Sequence, residues 1–167
     1  MRGKGFSLIE LVLVVAILGI LGALVMPVYQ GQAAEAKTSS AKTNLGVLRA
    51  QIEFYKIHHK GSVPGYINGA GAPIATMQLQ LTGTTTDAGM ASPNPVPTGP
   101  FLHGPYLRKI PANPFNKLSN IAYVAEATPF STAVDGTSSG WLYKKETAEI
   151  RINQTGLDDE GIAYINY

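Results

Sequence analysis

The stretch Gly5-Phe6-Ser7-Leu8-Ile9-Glu10, together with the apolar run behind it, organises the whole chain. From Leu11 to Val28 no residue is charged. A helix of about 20 such residues crosses the hydrocarbon core of a membrane, because each residue adds about 1.5 Å. Glu10 is the one acid in this region, and a carboxylate in lipid costs about 2.5 kcal/mol or more unless it has a partner. The stretch therefore predicts a membrane helix that carries one unmet polar group.

A secretory signal peptide is the alternative interpretation of such an N-terminus, and it fits poorly. Arg2 and Lys4 supply the positive start, but Glu10 interrupts the apolar core early. The run ends at Met26-Pro27-Val28-Tyr29 without the small-residue pattern that signal peptidase needs. The sequence contains no cysteine, which excludes lipoprotein acylation.

The segment from Lys4 to Leu11, with the apolar run and Pro27 behind it, resembles the prepilin signal of the type IV pilin and type II secretion pseudopilin superfamily. The resemblance implies that a membrane aspartyl protease, the prepilin peptidase, removes residues 1–5. The cut would fall between Gly5 and Phe6, and the new amino group of Phe6 would be methylated. Ser7 stands where the family usually has threonine, which is a small departure.

Cleavage would place a free amino group on Phe6, about one helical turn from the Glu10 carboxylate. Each charge alone is costly in lipid, whereas a pair compensates much of that cost. If Glu10 of one subunit pairs with the Phe6 amino group of a displaced neighbour, the contact is head-to-tail and does not close. Such contacts generate helical filaments. Pro27 removes a backbone hydrogen bond and predicts a weak point in the helix.

The 167-residue chain is long enough for one compact domain beyond the anchor. Subtracting Arg2 and Lys4 from the 13 basic side chains leaves 11, which equals the 11 acidic ones. A neutral mature chain gives no electrostatic argument for nucleic-acid binding. Because the sequence has no cysteine, packing, hydrogen bonds or a metal must hold the C-terminal region.

Beyond Ala33 the pattern becomes amphipathic. One stripe repeats at spacings of four and three residues, which predicts a helix face that docks on a sheet, and it comprises Ala41, Leu45, Leu48, Ile52 and Tyr55. His58-His59-Lys60-Gly61 predicts the end of this helix. Adjacent histidines point about 100° apart on a helix, so we expect His58 and His59 to be solvated rather than to bind a metal.

These patterns predict an α+β, pilin-like fold in which a long N-terminal helix, spanning the membrane with its first half, packs on a small antiparallel sheet. The predicted segments are a leader (1–5), a transmembrane or filament-core helix (6–29), an amphipathic helix (30–60), a loop-rich region (61–120) and a sheet with a C-terminal loop (121–167).

The region 61–120 is dominated by turn residues. Residues 76–81 predict a short helix, and residues 83–100 predict a long surface loop that is either a partner surface or a spacer. The segment 104–115 resembles one in major pseudopilins, in which a Tyr-Leu pair leads into a proline turn and an aromatic residue. Asn113 and Phe115 replace the usual acidic residue and tryptophan, and we interpret this segment as architectural.

Three β-rich segments follow. Residues 121–126 predict one strand, and residues 140–145 and 148–153 predict a hairpin. Alternation places Ile150 and Ile152 inward, and Trp141 is expected in the core. We expect all three strands to be antiparallel and to cover the helical stripe.

The C-terminal segment 153–161 contains the densest group of acidic residues in the chain. Thr155-Gly156-Leu157-Asp158-Asp159 resembles the C-terminal loop in which major pseudopilins bind calcium, which makes Asp158 and Asp159 candidate ligands. A solvated acidic turn without a metal is the alternative. Asn153-Gln154-Thr155 is also a formal glycosylation sequon.

The sequence contains no recognisable catalytic motif, so a structural role is predicted rather than an enzyme. The resemblance implies a filament subunit that polymerises with itself, starting as an inner-membrane precursor. Its partners would be the prepilin peptidase and the assembly platform of the inner membrane. The product is either a periplasmic pseudopilus or a cell-surface pilus. The alternative, from another functional class, is a membrane-anchored extracytoplasmic binding domain that never polymerises.

Overall fold

A computed structural model of the chain describes residues 6–167, apart from the side chains of residues 24–31. These residues form two compact units, one reaching Lys37 and one running from Thr38 to Tyr167. Helix α1, Leu8–His58, contributes residues to both. Within the described residues, no helix has both the length and the apolar character that a membrane crossing requires. Gly5 and the side chain of Pro27 lie outside the description, so cleavage at Gly5 and the weak point at Pro27 stay predictions.

The second unit contains short elements after α1. In chain order they are β1 (Tyr66–Ile67), β2 (Ala70–Gly71), α2 (Ile74–Thr82), β3 (Thr84–Thr85), β4 (Ala91–Ser92), β5 (Ile121–Tyr123), α3 (Phe130–Ala133), β6 (Trp141–Lys144), β7 (Glu149–Ile152) and a final 3-10 turn (Tyr164–Asn166). The predicted α+β class is confirmed, and α2 confirms the short helix expected at residues 76–81.

Helix α1 ends at His58, the first residue of the stretch predicted to end it. Lys60 and Gly61 both adopt positive φ, at 55° and 89°. The N–H of Gly61 donates to the carbonyl oxygen of Lys56 over 2.8 Å, so a carbonyl left open by the last turn gains a partner. The helix cap therefore consists of two residues in the left-handed region, Lys60 and the predicted capping residue Gly61.

The predicted stripe of α1 forms one wall of the main core. All five of its side chains are at most 1% exposed. Four of them, Ala41, Leu45, Leu48 and Ile52, share one buried cluster with Met77 and Leu81 of α2 and with Trp141, Ile150 and Ile152 of the sheet. Full burial of each large apolar side chain contributes about 1.5–3 kcal/mol, so this cluster provides much of the stability of the second unit.

The sheet has the order β5-β6-β7. Strands β6 and β7 form the predicted antiparallel hairpin, with Trp141 opposite Ile152 and Tyr143 opposite Ile150. The expectation of three antiparallel strands is wrong for β5, which runs parallel to β6 with Ile121 opposite Trp141. The connection through 124–140, including α3, is long enough to cross over and return in the same direction.

The predicted surface loop at 83–100 is correct only for its second part. Residues 93–100 are exposed, but β3 and β4 pair as a small hairpin in which Thr84 and Thr85 are fully buried. A Cβ atom on Gly83 would lie 2.1 Å from the carbonyl oxygen of Ser92, so glycine permits this close pairing. Residues 83–92 were predicted as a loop because they are rich in threonine. Polar residues are typical of loops, and the sequence pattern did not show that these threonine side chains are buried.

Candidate functional site

The start of α1 is organised by Glu10. The backbone N–H of Ser7 donates to Oε2 of Glu10 over 2.9 Å. This bond satisfies one of the N–H groups that a helix start leaves open, and an anion is favoured at that end of the helix dipole. The spacing of Ser7 and Glu10 is that of a capping box. Residues 7–10, Ser-Leu-Ile-Glu, carry the sequence signal for this motif, which the predictions from sequence did not use.

Phe6 and Glu10 share one surface of the helix start. A shallow depression there is lined by Phe6, Ile9, Glu10, Leu13 and Val14. The Glu10 carboxylate thus lies among apolar side chains. Phe6 and Glu10 of one chain lie side by side here, and their predicted pairing between subunits stays a prediction.

The large apolar side chains between Phe6 and Leu21 are exposed on every side of the helix. Phe6 and Leu8 are 78% and 82% exposed, and ten more large apolar residues between Ile9 and Leu21 are exposed as well. A helix that is apolar all round is suited to lipid or to the interior of a larger assembly. The described part of this chain does not cover that surface itself.

Asp158 is engaged by donors of its own chain. Its Oδ1 accepts from the N–H groups of Glu160 (2.9 Å) and Ile162 (2.8 Å). Its Oδ2 accepts from the phenol of Tyr167 over 2.5 Å, and Nζ of Lys42 lies 4.0 Å away. The side chain is only 5% exposed. The Tyr167 hydrogen bond is the main reason that the pKa of Asp158 lies below its ordinary value.

This arrangement does not fit calcium. Calcium needs six to eight oxygen ligands at about 2.3–2.6 Å, and Asp158 would have to release its hydrogen-bond donors to supply them. Asp159 is exposed and does not share that environment. Across residues 6–23 and 32–167, no group of three or more histidine, cysteine or acidic side chains is arranged to hold a metal ion.

All three histidines of the chain lie together at the end of α1, which the sequence did not indicate for His103. The ring of His103 lies 5.3 Å from that of His58 and 5.2 Å from that of His59. Nε2 of His103 lies 2.8 Å from Oδ1 of Asp87, and Nζ of Lys60 is 3.7 Å from the other oxygen of the same carboxylate.

The expectation that both helix-end histidines are solvated is wrong for His59, which is 3% exposed. Its ring stacks on Tyr55 at 3.7 Å, and Nε2 lies 3.0 Å from the carbonyl oxygen of Thr86 and 3.1 Å from Oγ1 of Thr85. The β3–β4 hairpin folds back over the helix end and removes this ring from water. Burial is the main cause that lowers the pKa of His59, and His103 and His58 lower it further.

We expect the second unit to lose stability as the pH falls below about 6.5, the ordinary pKa of histidine. Below that pH the His59 imidazole is protonated in the unfolded chain but stays neutral in the folded unit. The free energy of unfolding therefore decreases until the pH reaches the lowered pKa of His59 in the folded unit. One group contributes at most about 1.4 kcal/mol per pH unit. Urea unfolding between pH 7.5 and 5 measures this, and His59→Gln should flatten the dependence while His58→Gln preserves it. An unchanged pH dependence in His59→Gln would contradict the assignment.

Comparisons with known proteins match the N-terminal segment that contains the start of α1. Residues 1–26 match the family described as the prokaryotic N-terminal methylation motif. Over 142 residues the chain is 33% identical to the type II secretion system core protein G of Pseudomonas aeruginosa, covering 82% of this chain and 87% of that protein. No solved structure is significantly similar to the chain.

Matches to fimbrial proteins are shorter. The chain is 41% identical over 73 residues to a fimbrial protein of Neisseria meningitidis serogroup B, which is 44% of this chain and 41% of that protein. It is 51% identical over 55 residues to the type IV major pilin protein PilA of Myxococcus xanthus, covering 32% of this chain and 25% of that protein. The chain therefore spans less than half the length of these fimbrial relatives but most of protein G.

Proposed function

The chain belongs to the superfamily of type IV pilins and type II secretion pseudopilins, and we propose that it is a processed, self-assembling filament subunit of the pseudopilus type. The extent of the match to protein G, 82% of this chain, favours the pseudopilus over a surface pilus. The role is structural rather than catalytic.

The observation that carries this proposal is the exposed apolar helix with a single acid at its start. Leu8, Ile9 and Leu11 are each at least 59% exposed, while Glu10 lies between them. Exposure of so much apolar surface is unfavourable in water. Lipid would cover it in the precursor, and neighbouring copies of the same helix would cover it in the filament.

Within this proposal each residue at the helix start has a defined role. The prepilin peptidase cuts between Gly5 and Phe6, and the amino group of Phe6 becomes the cation of the assembly contact. Glu10 of a neighbouring subunit provides the anion, and the surrounding apolar side chains exclude water, which strengthens the attraction. Pro27 would let the helix adjust as subunits pack. The assembly platform of the inner membrane would draw the precursor from the lipid.

The first test is the N-terminal mass of the protein recovered from its native cells. We expect a peptide that begins at methylated Phe6 and no mature protein that begins at Met1. Gly5→Val should block cleavage, because it places a branched side chain immediately before the proposed cut. Mature, exported protein that retains residues 1–5 would contradict the proposal.

Membranes and sheared surface material are to be measured separately. Processed subunit confined to membranes supports a periplasmic pseudopilus, whereas abundant processed subunit in the sheared fraction favours a surface pilus. Two observations favour the surface pilus as the second candidate. Segment 93–100 is exposed, and parts of the chain match fimbrial proteins.

A further inference from the structure

Tyr167 is held through its phenol, its ring and its backbone oxygen by four other residues. Its phenol donates to Oδ2 of Asp158 over 2.5 Å. Its ring lies under Nζ of Lys42, 4.3 Å from the ring centre. Its backbone oxygen accepts from Nη2 of Arg49 over 2.5 Å and from Nη1 of Arg151 over 2.9 Å. Lys42, Arg49, Arg151, Asp158 and Tyr167 are called the Tyr167 clamp below.

The clamp joins three parts of the second unit. Lys42 and Arg49 come from α1, Arg151 from β7 and Asp158 from the C-terminal segment. Arg49 also donates to the carbonyl oxygen of Ile150 over 3.3 Å, so the same guanidinium contacts both the sheet and Tyr167. Fixing these elements to one another closes the C-terminal segment against the helix and the sheet.

The charges in the clamp complement one another. Nζ of Lys42 lies 4.0 Å from the Asp158 carboxylate, and Arg151 binds the carboxylate of Glu149, beside the clamp, through two of its nitrogens. Removal from water and the adjacent Asp158 carboxylate raise the pKa of the Tyr167 phenol, which therefore stays protonated and remains a donor at neutral pH. Hydrogen bonds to a charged acceptor are about twice as strong as neutral ones.

We propose that the Tyr167 clamp closes the C-terminal segment without calcium and without a disulfide. The chain has no cysteine, and the Asp158 carboxylate that a calcium ion would require is already bonded to two N–H groups and a phenol. The carboxylate of Asp158, which could otherwise attract a metal ion, is the acceptor of the hydrogen bond from the Tyr167 phenol.

The test is thermal unfolding of the full chain in detergent, followed by the fluorescence of Trp141, the only tryptophan. The unassembled subunit is used, so the outcome is independent of filament formation. We expect the same midpoint in excess calcium chloride and in excess chelator. We expect Tyr167→Phe, which removes only the hydroxyl, to lower the midpoint by about 5 °C in both solutions.

Two matched variants complete the experiment. Tyr164→Phe removes the hydroxyl of the neighbouring tyrosine, for which the described residues offer no hydrogen bond, and should melt like the parent chain. Asp158→Asn should lower the midpoint at least as far as Tyr167→Phe, because it weakens every bond of the carboxylate. A calcium-dependent rise of the parent midpoint that Asp158→Asn abolishes would overturn the proposal, as would a Tyr167→Phe variant that melts like the parent.

Discussion

Glu10→Val is expected to leave the processed subunit in the membrane and to abolish filament assembly. Valine is apolar, so the exposed helix would remain as compatible with lipid as before. The variant would lack the anion that we assign to the Phe6 amino group of a neighbouring subunit. An unpaired charge within an apolar layer costs about 2.5–3.5 kcal/mol, which corresponds to roughly a 100-fold weaker contact at each subunit. Repeated along a filament, that loss prevents growth.

The measurement compares membranes and assembled filaments by immunoblot and electron microscopy. Glu10→Gln separates charge from shape, because an amide oxygen can still accept the Ser7 N–H bond that Glu10 makes within its own helix. We expect the Glu10→Gln variant to form no filaments either, because its side chain carries no charge. Ile9→Val, which alters an apolar neighbour in the same depression, should assemble normally. Normal filaments from Glu10→Val would remove Glu10 from the assembly contact. Filaments missing from the parent chain as well would favour an anchored domain that does not polymerise.

Asn153→Ala is expected to lower the free energy of unfolding of the second unit by about 3–4 kcal/mol. The Asn153 side chain is fully buried, and its Oδ1 accepts from the N–H groups of Asp135 (3.0 Å) and Gly136 (2.9 Å). Its Nδ2 donates to Oδ1 of Asp135 over 2.7 Å and to both oxygens of Ser139 over 3.1 Å. Each buried polar group left without a partner costs about 1–3 kcal/mol.

Urea unfolding monitored by Trp141 fluorescence measures this loss. Asn94→Ala is the matched control, because Asn94 is exposed and, among the described residues, its side chain bonds only to Val96 and Thr98. We expect a change of about 1 kcal/mol or less there. A loss below about 1 kcal/mol in Asn153→Ala would contradict the importance of this network. The same burial excludes a glycan on Asn153 in the folded unit, although the residue begins a formal sequon.

Local patterns in the sequence were sufficient for the elements whose partners are near in the chain. The stripe of α1 follows from helical spacing, because each buried residue lies three or four positions from the next. Trp141 opposite Ile152 follows from alternation and a short turn. The Glu10 and Phe6 pair at the helix start is also local, which is why a family motif a few residues long identifies it.

Only the tertiary structure decided where distant polar groups meet. Arg49 and Tyr167 are 118 positions apart, and no periodic pattern connects them. The burial of His59 depends on Thr85, 26 positions later, and the parallel pairing of β5 depends on a crossover whose direction its sequence does not encode. Asp158 looked like a calcium ligand because an acidic turn is attractive to a metal ion. Folding brought a phenol and two N–H groups to that carboxylate, and we propose that these hydrogen bonds take the place of a cation.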